Sequence, residues 1–421
     1  MAERSTSGDA GPASLQSVRR ANLSRVLRAL RADGPMSRAA LASHTGLTKV
    51  TLSSIATELL QRGLVSERET QPSEGQAGRP SRPLCLDPAG AAGLGLWIDV
   101  DRIGVCITDL GGQPRFTRIK RRDNTRARPA TVLRQLARLT AQALEHAGAP
   151  GQRVVAATLA VPGLVDASRT HLHLAPNLQW SDVPLVEQLT PLLVELLPGI
   201  PAPRLANEAN VAAIAERAAH MRTAEAATAD NFLFVTLGVG VGAGVVQDGA
   251  LFRGARGFGG ELGHAIVEPK GPKCACGNRG CLEALVGRDA LLSRARRRLR
   301  SALPDSPDPD VVLDALHALA RDGNRGAREV LGETAEWLAI ALTNYANLLD
   351  PEAIVLGGYG ARFADLLVPP IARHLERSLL SARWAPCEIR AAATGADAPL
   401  LGAGLLSLEH VFDNPGCLPR P

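Results

Sequence analysis

Residues 257–283 read GFGGELGHAIVEPKGPKCACGNRGCLE, the densest run of chemistry in the chain. His264 stands ten residues before Cys274, and Cys276 and Cys281 follow. Three of seven cysteines therefore fall within eight residues, beside a histidine. One neutral imidazole and three thiolates form the donor set of a closed, tetrahedral structural zinc site, with bonds of about 2.0–2.3 Å. Gly271, Pro272, Gly277 and Gly280 let the backbone wrap tightly around an ion. The alternative is a group of buried free cysteines, and the clustering beside His264 argues against it. Glu261 and Glu283 flank the run, so a polar pocket sharing its wall with the metal is expected.

Outward from this stretch, composition sets broad limits. A chain of 421 residues is too long for one ordinary core and implies two to four domains. Hydrophobic residues make up 45% but aromatics only 3%, so the cores must be built from Ala, Leu and Val. No segment approaches the roughly 20 apolar residues of a membrane span. The opening MAERSTSGDAGPAS lacks the hydrophobic stretch of a signal peptide. An odd number of cysteines, three of them clustered, suits a reducing compartment. A cytoplasmic location with no membrane partner is expected.

The charge is unevenly spread. Residues 15–83 carry eleven Lys/Arg against five Asp/Glu, a balance of +6, while the whole chain carries only +5. The first fourteen residues carry −1, so residues 84–421 sum to zero. A positive excess confined to one small N-terminal module points to a polyanion partner for that module.

The pattern inside the module agrees. Val18, Leu23, Val26, Leu27 and Leu30 fall on one face of a helix over residues 15–31, which Asp33-Gly34-Pro35 ends. Ser37 caps a second, short helix with Leu41 inward. Thr45-Gly46 turns the chain, and Thr48 opens a third helix with Val50, Leu52, Ile55, Leu59 and Leu60 as its apolar positions. This is helix-turn-helix spacing. Strands at 64–68 and 83–86, around a polar Gly/Pro-rich tip, add a wing. The third helix of such a module enters the major groove of double-stranded DNA. Ser37, Thr48, Lys49, Thr51, Ser53 and Ser54 are the expected DNA contacts. At the wing tip, Arg79 between Gly78 and Pro80 suits a narrow minor groove. The Arg294–Arg300 run reads as a solvated helix face.

The remainder alternates strands and helices. A strand over 93–99 leads into the hairpin WIDVDRIGVCITDLGG, and Phe232–Phe252 is a strand, a glycine loop and a returning strand. Gly238, Gly240, Gly242 and Gly244 would let amides approach a phosphate. A further strand, AIVLGGYGARF, begins at Ala353. Two α/β lobes with a cleft between them are expected.

Taken with VPGLVD (161–166), LAPNLQW (174–180) and NEAN (207–210), the cysteine stretch resembles the ROK family (repressor, open reading frame, kinase), in its regulator branch. The resemblance covers about residues 15–410. It implies an actin-like, ribonuclease H-like two-lobed domain behind the winged helix-turn-helix. The implied layout is a disordered tail at 1–14, the winged module at 15–86, lobe 1 at 87–205 joined by a returning helix at about 400–412, and lobe 2 at 206–399 with the zinc loop at 264–281. The tail after Phe412 reads as disordered. The resemblance also implies a sugar site made by Gly163, Asn177, Asn207, Glu208, Glu261, His264 and Glu283.

The kinase branch of the family differs at three places. Its catalytic Asp is Glu208 here, which moves the carboxylate by about 1 Å, a displacement that costs on the order of a hundredfold in rate. Its Asp-x-Gly-Gly-Thr phosphate loop is Asp99-Val100-Asp101-Arg102-Ile103 here, where Asp101 is expected to repel a nucleotide. Its second loop loses a hydroxyl at Val239. The expectation is therefore a sugar-responsive, DNA-binding regulator without kinase activity, acting as a homodimer or homotetramer. An ATP-dependent sugar kinase with an accessory DNA domain is the rival.

Overall fold

The computed structural model describes residues 15–68, 82–147, 153–221 and 230–418. The expected N-terminal tail, the Gly78-Arg79-Pro80 tip and residues 419–421 lie outside them.

Three helices open the chain: α1 (Leu15–Asp33), α2 (Arg38–Thr45) and α3 (Lys49–Gln61). Ser37 caps α2 by accepting from the Ala40 amide, and Thr48 caps α3 by accepting from the Thr51 amide. Gly46 ends α2 in the left-handed region, φ 67°, where glycine carries no Cβ penalty. Strands β1 (Val65–Glu67) and β2 (Leu84–Leu86) pair antiparallel to form the base of a wing. Two of the positions assigned to apolar faces are solvent-facing: Val18 is 46% exposed and Val50 is 82% exposed. The inward stripe is narrower than the period suggests: Leu23, Val26, Leu27 and Leu30 of α1 and Leu52, Ile55 and Leu59 of α3 are buried.

The rest forms two lobes with matching topology. Lobe 1 contains β3 (Ala92–Ile98), β4 (Arg102–Asp109), β5 (Pro114–Arg121), α4 (Pro129–Ala147), β6 (Val154–Val161), α5 (Leu185–Leu196) and β10 (Arg204–Asn207). Its sheet order is β10-β6-β3-β4-β5. A small satellite sheet is made of β7 (Leu164–Val165), β8 (Leu172–Ala175) and β9 (Trp180–Val183). Lobe 2 follows with α6 (Glu208–His220), β11 (Phe232–Leu237), β12 (Val241–Gln247) and β13 (Ala250–Phe252). It continues with α7 (Leu282–Val286), α8 (Arg288–Leu299), α9 (Pro309–Arg321), α10 (Arg325–Leu349), β14 (Ala353–Gly358), α11 (Tyr359–Arg362), α12 (Ala364–Ser378) and β15 (Glu388–Ala391). Its sheet order is β13-β12-β11-β14-β15. In each sheet an antiparallel three-strand meander continues into parallel strands through helical crossovers. The arginine run lies on α8, where Arg294 donates to Thr334 and Arg298 pairs with Glu333, so part of it is engaged within the lobe.

The lobes exchange helices. α6 leaves β10 of lobe 1 but packs on β11 and β12 of lobe 2. The last helix, α13 (Ala398–Asp413), leaves lobe 2 but packs on β3, β4 and β6 of lobe 1. The two helices pack on each other. Contact is backbone to backbone: a Cβ on Gly93 or Gly95 would run into α13, and one on Gly402 would run into the Val211 carbonyl of α6. Buried Glu216 of α6 accepts from Ala393 N at 2.8 Å and from Thr394 N at 3.0 Å, pinning the loop before α13.

The winged module has no separate core. Leu23, Val26, Leu27, Leu30, Leu52, Ile55 and Leu59 pack in one cluster with Leu110 and Val155 of lobe 1 and with Leu408, Val411, Phe412 and Leu418. Arg28 and Arg31 of α1 pair with Glu409 at 2.9 and 2.5 Å, and the Arg31 guanidinium lies 4.2 Å from the Phe412 ring centroid. The expected disorder after Phe412 is therefore wrong as far as Leu418. Pro415–Cys417 form a 3-10 turn, Leu418 is buried, and Arg62 donates to its carbonyl. That tail carries few apolar residues, and its partners lie at the other end of the chain.

Phe412→Ala is expected to cost about 3–5 kcal/mol in urea unfolding, the range for a fully buried Phe. Limited proteolysis should then cut within α1–β2 before either lobe.

Candidate functional site

The cleft between the lobes gathers every residue assigned to the sugar site: Gly163, Asn177, Asn207, Glu208, Glu261, His264 and Glu283. Its volume is ≈ 260 Å³. Asn177 sits at the tip of the β8–β9 hairpin. Gly163 adopts φ 106°, and a Cβ there would meet the Leu174 carbonyl, so the turn can press against β8. Asn207 caps α6, accepting from Ala209 N at 2.9 Å, and donates to Gly163 O at 3.0 Å. Its side chain thus fixes the turn as well as facing the cleft. Glu283 accepts from Val241 N at 3.0 Å, which ties it to the glycine loop. A Cβ on Gly240 would come within 2.5 Å of Glu283 Oε2 and 2.9 Å of Asn177 Nδ2, so these two side chains converge above the loop. Burial holds the Glu261 carboxyl above the ordinary range; His264 opposes that shift and Glu283 reinforces it. Carboxylates and amides converging on one cavity suit a ligand rich in hydroxyls, because each unmatched buried polar group costs about 1–3 kcal/mol.

His264 on the cleft wall also belongs to a Cys/His cluster. His264, Cys274, Cys276 and Cys281 place one ligand atom each within 4.8 Å of one another. The Cys276–Cys281 sulfur distance is 3.7 Å and Cys274 Sγ lies 3.8 Å from His264 Nδ1. A tetrahedron with bonds of about 2.3 Å has edges of about 3.8 Å, so these donors fit a metal ion. Burial pushes the Cys274 thiol up to about 12 and also raises Cys281, and a bound cation reverses that preference by stabilising thiolate. Gly280 adopts φ 70° where a Cβ would overlap the Glu268 carbonyl, so only glycine permits this turn. Since His264 Nδ1 faces the thiols, Nε2 is left for the cleft that the ring also lines.

The opposite end, where the glycine loop would meet phosphates, is held by ion pairs. Asp101 accepts from Arg102 Nε at 2.7 Å and from Arg288 Nη1 of α8 at 2.7 Å, which joins the lobes. Arg121 of β5 reaches Asp308 and Asp310, both at 2.9 Å, making a second bridge between lobes. Asp101 is therefore not a bare repelling charge, as expected from sequence. Burial opposes its ionisation, but the hydrogen bonds and charges of Arg102 and Arg288 hold it below the usual carboxylate range. Behind it, Trp97 Nε1 donates to Glu208 Oε2 at 3.2 Å. Burial, reinforced by Asp101, pushes Asp99 up to about 6. Burial and then the Asp99 charge hold the Glu208 carboxyl well above its ordinary value. Its Oε2 is occupied by the indole donor, which fixes the direction of the carboxyl. Trp97, Arg121, Arg288 and Asp310 escaped the sequence reading, since nothing local pairs Asp101 with an arginine 187 residues away.

On the winged module, Lys49, Val50, Ser53 and Ser54 are exposed along α3 and Thr51 is half-buried. Ser37 and Thr48 spend their oxygens on helix caps.

Two lobes of matching topology, crossed by exchanged helices behind a winged helix, define an actin-like domain joined to a helix-turn-helix module. A ROK family model matches residues 94–410 and a MarR family model matches residues 24–77. The chain belongs to the ROK family and carries a MarR-type winged helix at its N-terminus. It is 26% identical over 397 residues to a xylose repressor of Caldicellulosiruptor bescii, covering 93% of this chain and 96% of that protein. A ROK family transcriptional regulator, described as a homolog of E. coli MLC protein, superposes with a TM-score of 0.77 at 24% identity, covering 94% and 97% of the two chains. A ROK family glucokinase from Streptomyces griseus, in complex with glucose and AMPPNP, superposes with a TM-score of 0.62 at 28% identity, covering 75% of this chain and 98% of that one.

Asp99→Asn tests the acidic end of the cleft. A carboxyl raised in the folded state keeps its proton up to about 6, whereas the unfolded chain releases it in the ordinary carboxylate range. Its ionisation therefore costs stability as pH rises through that window. The variant should melt above the unsubstituted protein at pH 8, and the gap should close toward pH 4.

Proposed function

We propose that the protein is a sugar-responsive transcriptional repressor. α3 reads operator DNA in the major groove, through Lys49, Thr51, Ser53 and Ser54 together with capping Thr48, and Ser37 and Arg79 contact the backbone and minor groove. The cleft binds a sugar through Asn177, Asn207, Glu261, His264 and Glu283, with Gly163 and Glu208 completing its wall. The relatives named xylose repressor make D-xylose the first candidate.

The single observation carrying this reading is the run of α13. Its first residues, Ala398 and Pro399, line the cleft, and its last turns, through Leu408, Val411 and Phe412, lie in the core of the winged module. Its 16 residues span about 24 Å. A sugar that closes the lobes displaces one end of this helix and so re-aims the other. Two winged helices in a homodimer or homotetramer must match a fixed half-site spacing, so re-aiming them lowers operator affinity. By linkage, DNA weakens sugar binding by the same factor.

The His264, Cys274, Cys276 and Cys281 cluster holds a structural zinc ion. Four protein ligands leave no open position, so its part is to brace the cleft wall and fix the His264 ring. The ion pairs at Asp101 and the tied-up Glu208 support a regulator that does not transfer phosphate. Among the described residues no helix is long and apolar enough to cross a membrane, and we place the protein at operator DNA in the cytoplasm.

In a thermal-shift experiment, D-xylose is expected to raise Tm, ATP–Mg2+ to leave it unchanged, and Asn177→Ala to abolish the sugar shift. D-xylose should also release the protein from operator DNA selected from a random pool. Sugar-dependent ATP turnover that disappears in Glu208→Ala would establish the kinase reading instead. Cys276→Ser should lose its one zinc per chain by elemental analysis and melt at a lower temperature. Unchanged zinc content would overturn the ligand set.

A further inference from the structure

A second group of metal-ligating side chains lies outside the cleft. Leu172 of β8 is buried, whereas its neighbours His171 and His173 stand on the outer face. Both rings lie on one side of the chain, with Leu172 turned inward between them. Leu172 pairs with Val183 and Leu174 with Ser181, which sets Asp182 of β9 directly opposite His173. His171 Nε2 lies 2.7 Å from Asp182 Oδ1, and the two imidazole centroids are 5.3 Å apart. One ligand atom from each of the three side chains lies within 4.8 Å of the others.

We propose that His171, His173 and Asp182 form an exchangeable site for a late first-row divalent cation, and that its occupation stiffens the hairpin carrying Asn177. Two imidazoles and a carboxylate favour zinc, nickel, cobalt or copper over magnesium and calcium, which prefer all-oxygen shells. Donors bonded at about 2.0–2.2 Å sit roughly 2.9–3.6 Å apart, so a small rotamer change closes the set. An ordinary His–Asp pair needs one imidazole, and here a second stands on the same face within reach.

Three further features hold the donors. Asp166 accepts from the His171 amide at 2.8 Å, fixing the backbone there. Phe258 packs edge-on against His173, with ring centroids 5.7 Å apart at 80°. Asp182 adopts φ 55°, in the left-handed region, which Asp enters more readily than most non-glycine residues. Three protein ligands leave coordination positions to water, unlike the closed Cys/His cluster, so the ion exchanges.

The ion ties the two strands of the hairpin together below the Asn177 tip. Phe258 connects the same spot to the loop leading to Glu261. The metal site itself does not depend on the sugar reading of the cleft, and its test uses no sugar.

The test uses the full chain with any affinity tag removed and its zinc content verified. Ni2+ titration by calorimetry should show one saturable site per chain at micromolar concentration. Hydrogen exchange over residues 172–183 should slow on adding Ni2+. The double variant His171→Gln/His173→Gln, altered on the outer face of the satellite sheet, should melt like the unsubstituted protein without nickel. It should bind Ni2+ more weakly by on the order of tenfold or more. No saturable binding, or binding that survives in the double variant, would overturn the site. Binding that is lost in the variant but never alters exchange in the hairpin would overturn the stiffening.

Discussion

Everything in this molecule hangs on one close approach. Gly93 and Gly95 of β3 face Leu400 and Gly404 of α13, and Gly402 faces the backbone of α6 at Val211. With no side chains between them, strand, helix and helix touch through their main chains. Proteins pack to crystal-like density, and such a seam has no soft side chain to absorb a displacement. Because α13 follows lobe 2 in the chain but packs in lobe 1, the same seam joins the lobes. Ser407 adds a buried hydrogen bond at 2.9 Å to the Leu94 carbonyl. The cleft, the winged module and the C-terminal turn are all placed by where this helix lies.

The second organising force is electrostatic. A phosphate-binding end of the cleft requires open backbone amides and unpaired cations. Here the cations are spent on protein carboxylates: Arg288 and Arg102 on Asp101, Arg121 on Asp308 and Asp310. Such partly exposed pairs add little net stability. Their value is geometric, since both the Asp101 and Arg121 bridges span the lobes and bias the cleft toward one opening. Asp99 and Glu208 lie behind them, and burial together with neighbouring carboxylates raises both carboxyls above their ordinary range. The fold is the one shared with a ROK family glucokinase from Streptomyces griseus.

The legible features were local ones. The cysteine spacing, the two capping residues Ser37 and Thr48, and the glycine turns each depend on neighbours within about ten residues, and one sequence is enough to read them. The sugar-site residues came from the resemblance, and the structure brings all seven to one cleft. What escaped was non-local. Val18 and Val50 keep the helical period of a core face, yet both stay exposed among the described residues. Asp101 looks repulsive until Arg288 is folded beside it. The Asn-Pro-Gly run after Asp413 looks like a frayed end, because Arg62 and the α1 face that receive it are hundreds of residues earlier. The fused core likewise could not be read from a charge map that isolates residues 15–83 as a module of their own.

That fused core bears on how the protein is made. Leu408, Val411, Phe412 and Leu418 are synthesised after both lobes, at about 5–20 residues per second. For tens of seconds a nascent chain carries α1–α3 with one side of their core uncovered. The reading head is thus assembled only once the sensing lobes exist. A chain stalled on the ribosome, or truncated before Leu408, leaves the α1–α3 core without Leu408, Val411, Phe412 and Leu418.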